Sequence, residues 1–317
     1  MVSLLDVRAA AARVAGRLHR TPLMGSATLA ERGGVKRVDL KCESFQKTGS
    51  FKTRGSLNLL SNLDPAARER GVVSVSAGNH AQALAWCARA EGIACTVVMP
   101  ALATQSKVDA SRGYGARVIQ HGTGAEAFER AHELEREEGL TFVHPFDDDR
   151  IIAGAGTCGL ELLEQSASPP DVVLVPVGGG GLISGVAVAI KESLPSARVF
   201  GVEPRGAAVM RKSLDAGHAE RMPSMSTIAD GLAAPMAGER NFEIVRRWVE
   251  DIVLVDDDEI AEAMRVLMSR CKLVAEPAGA AATAALLSGR LPLRPGDSVA
   301  VLVSGGNVDL SKMKDML

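Results

Sequence analysis

The chain has 317 residues, 46% of them hydrophobic and 23% charged, with 36 basic against 38 acidic side chains and a formal net charge of -2. So balanced a surface carries no broad positive field, which argues against partners selected by bulk charge, such as nucleic acid or an anionic membrane. Five scattered cysteines, Cys42, Cys87, Cys95, Cys158 and Cys271, form no CxxC pair and fit reduced thiols of the cytoplasm better than a disulfide framework.

The opening segment, MVSLLDVRAAAARVAGRLHR, carries Asp6 and four arginines and reads as an amphipathic helix, not as a secretory signal. A polar stretch over 46–50 then leads into a short helix starting near Lys52 and reaching about Leu60. From Gly71 onward, β-branched runs alternate with helical patterns. Strands are predicted over 72–75, 95–99, 118–120 and 141–143, with helices from His80 to about Gly92, over 105–112 and over 125–138. A second series places strands at 172–175, 198–202, 252–255 and 299–303, again separated by helices. Alternation at this spacing implies right-handed crossovers and mainly parallel, doubly wound sheets. Nineteen uncharged residues separate Asp171 from Lys191, but Pro176 and four glycines interrupt them, so a strand, a turn and a helix fit better than a membrane span.

Three glycine-rich stretches require separate readings. Residues 154–159, GAGTCG, match the dinucleotide fingerprint GxGxxG, yet HPFDDDR precedes them where a buried strand should stand. A helix start packed closely against other backbone is the expectation there. Gly178, Gly179, Gly180 and Gly181 directly follow an apolar strand and open a helix at Leu182. One glycine would serve a tight turn; four allow consecutive N–H groups to converge on a phosphate, aided by the helix dipole. The third stretch, SGGN from Ser304, ends the last strand, and SAGNH from Ser76 ends the strand at 72–75. Ligands of open parallel sheets gather at the carboxyl ends of strands. Lys52, judged by residue type alone, would be an ordinary solvated charge.

The segment KCESFQKTGSFKTRG (41–55) closely resembles the cofactor-lysine segment of fold-type II pyridoxal-phosphate enzymes, in the branch of serine/threonine dehydratases and serine racemases. The resemblance continues in order through SAGNHAQALA (76–85), HPFDDDRIIAGAGT (144–157), VPVGGGGLISG (175–185), GVEP (201–204), IADGL (228–232), EPAGAA (276–281) and SGGNVD (304–309). It implies an α/β molecule of the tryptophan synthase β-like architecture with pyridoxal 5'-phosphate in a cleft between two doubly wound domains. The large domain would comprise 1–65 and 147–317, the small one 66–146. Lys52 is implied as the residue bonded to the cofactor, Gly178 to Gly181 with the Leu182 backbone as the phosphate site, and Asn79 as partner of the ring oxygen. Phe51 would pack on the ring and Ser304 meet its nitrogen. Thr48 and Ser50 would bind the substrate carboxylate, with backbone N–H groups near Asn79 and His80.

A hydroxyl at Ser304 leaves the ring nitrogen largely unprotonated, which favours β-elimination over transamination. Racemases of the branch carry a reprotonating serine where this chain has Ala77. The expected activity is therefore dehydration and deamination of L-threonine or L-serine to 2-oxobutanoate or pyruvate plus ammonia. A dehydratase for 3-hydroxyaspartate and a serine racemase are the alternatives within this chemistry, and a non-catalytic anion-binding protein is the alternative outside it. A divalent-metal site of the branch matches at Glu203 and Ala207 but meets Val209 in place of an aspartate, so no metal is expected. A chain ending at Leu317 leaves no room for the amino-acid-sensing domain of regulated threonine dehydratases. The resemblance further implies a cytoplasmic homo-oligomer.

Overall fold

The computed structural model describes residues 1–316. Helix α1 (Leu4–Val14) is closed by a capping box: the Ser3 hydroxyl accepts from the Asp6 N–H and the Asp6 carboxylate from the Ser3 N–H. Strand β1 (Leu23–Gly25), helix α2 (Ala27–Gly33) and strand β2 (Arg37–Cys42) follow, then helices α3 (Lys52–Leu60) and α4 (Pro65–Arg70). Next come β3 (Val72–Val75), α5 (Asn79–Glu91), β4 (Cys95–Met99), α6 (Gln105–Gly113), β5 (Arg117–Gln120), α7 (Gly124–Glu138) and β6 (Thr141–Phe142). Helix α8 (Asp149–Gln165) leads to β7 (Val172–Pro176), α9 (Gly181–Ser193), β8 (Arg198–Pro204), α10 (Val209–Ala216), α11 (Glu239–Trp248) and β9 (Asp251–Val255). Helices α12 (Asp257–Val266) and α13 (Pro277–Leu287), strand β10 (Ser298–Val303) and helix α14 (Leu310–Met316) complete the path.

The strands form two sheets: six strands in the order β1-β2-β10-β7-β8-β9, and four in the order β5-β4-β3-β6. Only the β1–β2 pair is antiparallel; every other pairing is parallel. Every residue of β3, β4, β7 and β10 is buried. Helices on both faces of a parallel sheet exclude water from both sides, so these strands are uninterrupted apolar runs. Each strand expected from the sequence is present to within two residues at either end. Strands β1 and β2 lie outside that expectation. In β2, RVDLKC, charged residues interrupt the apolar pattern, and Lys41 is nonetheless fully buried.

The GAGTCG stretch corrects another expectation. It lies inside α8, which starts at Asp149 behind the capping residue Asp148, and is not the start of a helix. Close packing is what its glycines provide. A Cβ on Gly154 would stand 2.5 Å from the Arg54 carbonyl oxygen of α3, and one on Gly156 would stand 2.7 Å from the Gly185 carbonyl oxygen of α9. Glycine in a helix interior weakens it by about 1 kcal/mol relative to alanine. Here the missing side chains let three helices approach almost backbone to backbone.

Candidate active site

Loops at the carboxyl ends of strands from both sheets meet at Lys52. The chain approaches this residue through Thr48 and Gly49, both left-handed, at φ 58° and 75°. That conformation is strained for a threonine and persists only where neighbours hold it. Asn307 Nδ2 donates to the Thr48 carbonyl at 2.7 Å, and the Gly306 N–H donates to the Gly49 carbonyl at 2.9 Å. The Phe51 N–H donates to the Ser304 carbonyl at 3.1 Å. The loop ahead of Lys52 is thus stitched to the loop after β10. Two residues further on, Arg54 is fully buried and grips Glu43 with two bonds of 2.7 and 2.8 Å and Glu161 with two of 2.8 Å. Paired, planar contacts of this kind fix the roll of α3, and with it the direction of Lys52.

The Lys52 ammonium turns into the protein, donating to the Pro145 carbonyl at 2.9 Å and lying 5.2 Å from the centre of the Phe51 ring. Burial lowers its pKa to about 8, against an upward pull from Glu276. Pro145 belongs to a tight turn in which His144 Nδ1 accepts from the N–H groups of Phe146 and Asp147 at 3.3 and 2.8 Å. Burial holds this imidazole neutral, with its pKa down to about 4.

Phe146, next to Pro145, connects Lys52 to the tetraglycine turn. A Cβ on Gly179 would stand 2.4 Å from the Phe146 ring, and one on Gly181 would stand 3.0 Å from the Phe146 Cβ. Gly180 is left-handed at φ 100°, and a Cβ there would also lie 2.7 Å from Asn241 and Met210. Side chains at Gly179 and Gly180 would force their neighbours to shift, and Gly181 is closely crowded. Gly178 faces the Leu232 backbone, and Leu182 follows as a buried residue of the first turn of α9. Among the described residues, no N–H of Gly178 to Gly181 donates to a carbonyl or side chain.

The other predicted residues gather around the same point. Asn79, at the start of α5, donates to Glu276 Oε1 at 2.6 Å and accepts from Asn307 Nδ2 at 2.8 Å. Ser304 is buried, its hydroxyl 3.5 Å from the Ala278 carbonyl. The Thr48 and Ser50 hydroxyls are buried without hydrogen-bond partners among the described residues. The His80 imidazole hydrogen-bonds to Ser74 and to none of these residues. The Ser74 hydroxyl donates to the Val143 carbonyl at 2.6 Å and so accepts from His80 Nε2 at 3.0 Å, leaving Nδ1 bare.

Four participants escape the predicted set: the Pro145 carbonyl, Glu276, Asn307 and Asn241. Pro145, Glu276 and Asn307 lie inside the HPFDDDRIIAGAGT, EPAGAA and SGGNVD motifs, which is the available signal; Asn241 lies in no motif. Burial pushes the Glu276 carboxyl up to about 8. Glu203 is pushed to about 8 for the same reason, and its two oxygens accept from the N–H groups of Met210 and Arg211, both at 2.8 Å. Among the described residues no group of three or more histidine, cysteine or acidic side chains is arranged to hold a metal ion.

The family described as pyridoxal-phosphate dependent enzyme matches residues 14–305. The L-threonine ammonia-lyase of Thermotoga maritima is 45% identical over 312 residues, covering 98% of this chain and 77% of that protein. A catabolic L-threonine dehydratase of Staphylococcus aureus is 42% identical over 320 residues, covering 100% of this chain and 92% of that protein. Among solved structures, maize serine racemase superposes with a TM-score of 0.94 at 38% identity, covering 99% of this chain and 96% of the other. The T.th. threonine deaminase superposes at 0.91 with 44% identity, covering 97% and 99% of the two chains.

Proposed function

The chain belongs to the pyridoxal-phosphate dependent enzyme family, and from that membership we propose that at the site around Lys52 it converts L-threonine and L-serine to 2-oxobutanoate and pyruvate with release of ammonia, the water lost by β-elimination being taken up again on hydrolysis. Its fold is the fold-type II architecture of that family. The residues present suit the cofactor. An amine with its pKa near 8 is neutral in part at physiological pH, as bonding to an aldehyde requires. The free N–H groups of Gly178 to Gly181, at the start of α9, form a cradle for a phosphate. The buried, unpaired hydroxyls of Thr48 and Ser50 are donors awaiting an anionic partner.

When bound, the cofactor supplies an electrophilic aldehyde and a conjugated ring that accepts the electron pair of a breaking Cα–H bond. Lys52 Nζ takes the Cα proton as general base, a role worth on the order of 10²–10⁴-fold in rate. Phe51 and Asn79 would flank the ring, and Ser304 would offer a neutral hydroxyl to its nitrogen, a setting that would favour expulsion of the β-hydroxyl as water over transamination. Thr48, Ser50 and the backbone N–H groups near Asn79 and His80 hold the substrate carboxylate. Hydrolysis of the released enamine yields the 2-oxo acid and ammonia.

The observation that carries this reading is the inward course of Lys52, tethered at 2.9 Å to the residue preceding Phe146, whose ring packs on the tetraglycine turn. The test is a substrate panel of L-threonine, L-serine, 3-hydroxyaspartate and D-serine, read as keto acid released. 2-Oxobutanoate and pyruvate from the first two support the assignment, and turnover confined to 3-hydroxyaspartate overturns it. Serine racemase is the second reading, favoured by the superposition on the maize enzyme. Ala77 offers no proton for the opposite face of Cα, so D-serine formation is expected to be far slower than pyruvate formation. We further read residues 66–146, which hold the whole four-stranded sheet, as a small domain, and 1–65 with 147–317 as a large one. A cytoplasmic homo-oligomer completes the reading; no helix of residues 1–316 is long and apolar enough to cross a membrane.

A further inference from the structure

Asn241 is fully buried in the first turn of α11, between two arms of the site. Its Nδ2 donates to the Gly179 carbonyl at 3.0 Å and to the Phe146 carbonyl at 3.1 Å. The Gly179 carbonyl also accepts from the Gly238 N–H at 3.0 Å. The start of α11 is fixed in turn, because the Asp147 carboxylate accepts from the N–H groups of Glu239 and Arg240, both at 3.1 Å. Two carbonyls facing one amide oblige it to present its nitrogen, and Asn241 Oδ1 is left buried without a partner. An unpaired buried acceptor is destabilising, so the donor end must outweigh it.

We infer that Asn241 is a positioning residue for phosphate binding: by drawing the Gly179 carbonyl outward it turns the N–H groups of the tetraglycine turn toward the anion. A peptide unit is planar, so its carbonyl and the following N–H point in opposite directions. Fixing the Gly179 oxygen against α11 therefore aims the Gly180 N–H the other way. The bond to the Phe146 carbonyl locks the turn to the segment whose Pro145 carbonyl holds Lys52. The inference rests on the cofactor reading above and assigns a task to a residue outside its motifs.

The test compares pyridoxal 5'-phosphate with pyridoxal, which lacks the phosphate, in equilibrium dialysis against the apo-protein. The wild-type chain should bind the phosphorylated form far more tightly. Asn241→Ala should weaken that form about tenfold, the scale of one lost hydrogen bond to a buried acceptor, and leave pyridoxal within about twofold. Asn241→Thr, which retains one donor, should fall between them, and it serves in place of alanine if that variant does not fold. Equal weakening of both ligands, or of neither, overturns the role of Asn241. A wild-type chain with no preference for the phosphorylated form overturns the cofactor reading itself, which keeps the two failures distinct.

Discussion

Glu203 and Glu276 are carboxyl groups whose pKa burial raises to about 8 from an ordinary 4.5. Each binds its proton more tightly in the folded chain, so the stability it contributes is complete below about pH 4.5 and lost as pH rises through about 8. Substituting Glu203→Gln removes one of these titrations. Glutamine is neutral at every pH, as the protonated acid is, so the variant should track wild type most closely near pH 5, and the wild-type Tm should fall relative to the variant as pH rises toward 8, as measured by thermal melts across that range. Lys52 has the opposite sign, since its pKa is lowered and the neutral amine accumulates as pH rises. The rate at which the apo-protein captures pyridoxal phosphate should increase up to about pH 8 and then level, followed by stopped-flow absorbance. Lys52→Ala should lose the visible absorption band expected of a lysine-bound pyridoxal phosphate, and lose keto-acid release by about 10³-fold, within the range for a positioned base.

Between helices, the contact of α8 with α9 is governed by what its glycines omit. A Cβ on Gly185 would sit 2.2 Å from the Ile152 carbonyl oxygen and 2.4 Å from the Gly156 nitrogen. These are backbone atoms in two packed helices and cannot yield singly. Gly185→Ala should therefore destabilise the chain by about 2 kcal/mol, despite the better helix propensity of alanine. Gly113, the last residue of α6, supplies the control, because a Cβ there meets nothing within 4 Å. Gly113→Ala should be neutral or stabilising by up to about 1 kcal/mol. Denaturant melts should show a loss for Gly185→Ala and none for Gly113→Ala; parallel gains would mean that helix propensity and not crowding governs these positions.

Across the whole molecule, a few polar contacts join the four-stranded sheet and its helices to the six-stranded one beside Lys52. Asn79 meets Glu276 and Asn307, and Lys107 of α6 reaches Asp230 at 2.5 Å. Asp230 precedes Gly231 and Leu232, which lie against Ala278 and Gly178, so this ion pair bridges the margin of the site. Lys107 is 31% and Asp230 56% exposed, a setting in which an ion pair is worth at most about 1 kcal/mol. Lys107→Ala should accordingly raise KM for the amino acid by no more than about fivefold, leave Tm nearly unchanged, and lose its effect in high salt. A large fall in Tm would show that the pair supports folding and not the site.

Strand–helix alternation, the parallel sheets and the placing of glycine and polar turns at strand ends were legible in the sequence, because strands covered on both faces must be apolar throughout. Resemblance of motifs, and not residue physics, distinguished Lys52 from any surface lysine. Its inward course is decided by the Pro145 carbonyl and Glu276, both distant in the chain. Lys41 makes the same point within β2, where contacts to Glu161, Gln165 and the Thr21 carbonyl at 2.7 to 2.9 Å let a charge enter the core. Local composition records whether a segment is wet or dry on average. Which polar group meets which, as at Asn241 and the Gly179 carbonyl, is settled only when the fold brings remote donors and acceptors within hydrogen-bonding distance, since an unpaired group could not be buried there without penalty.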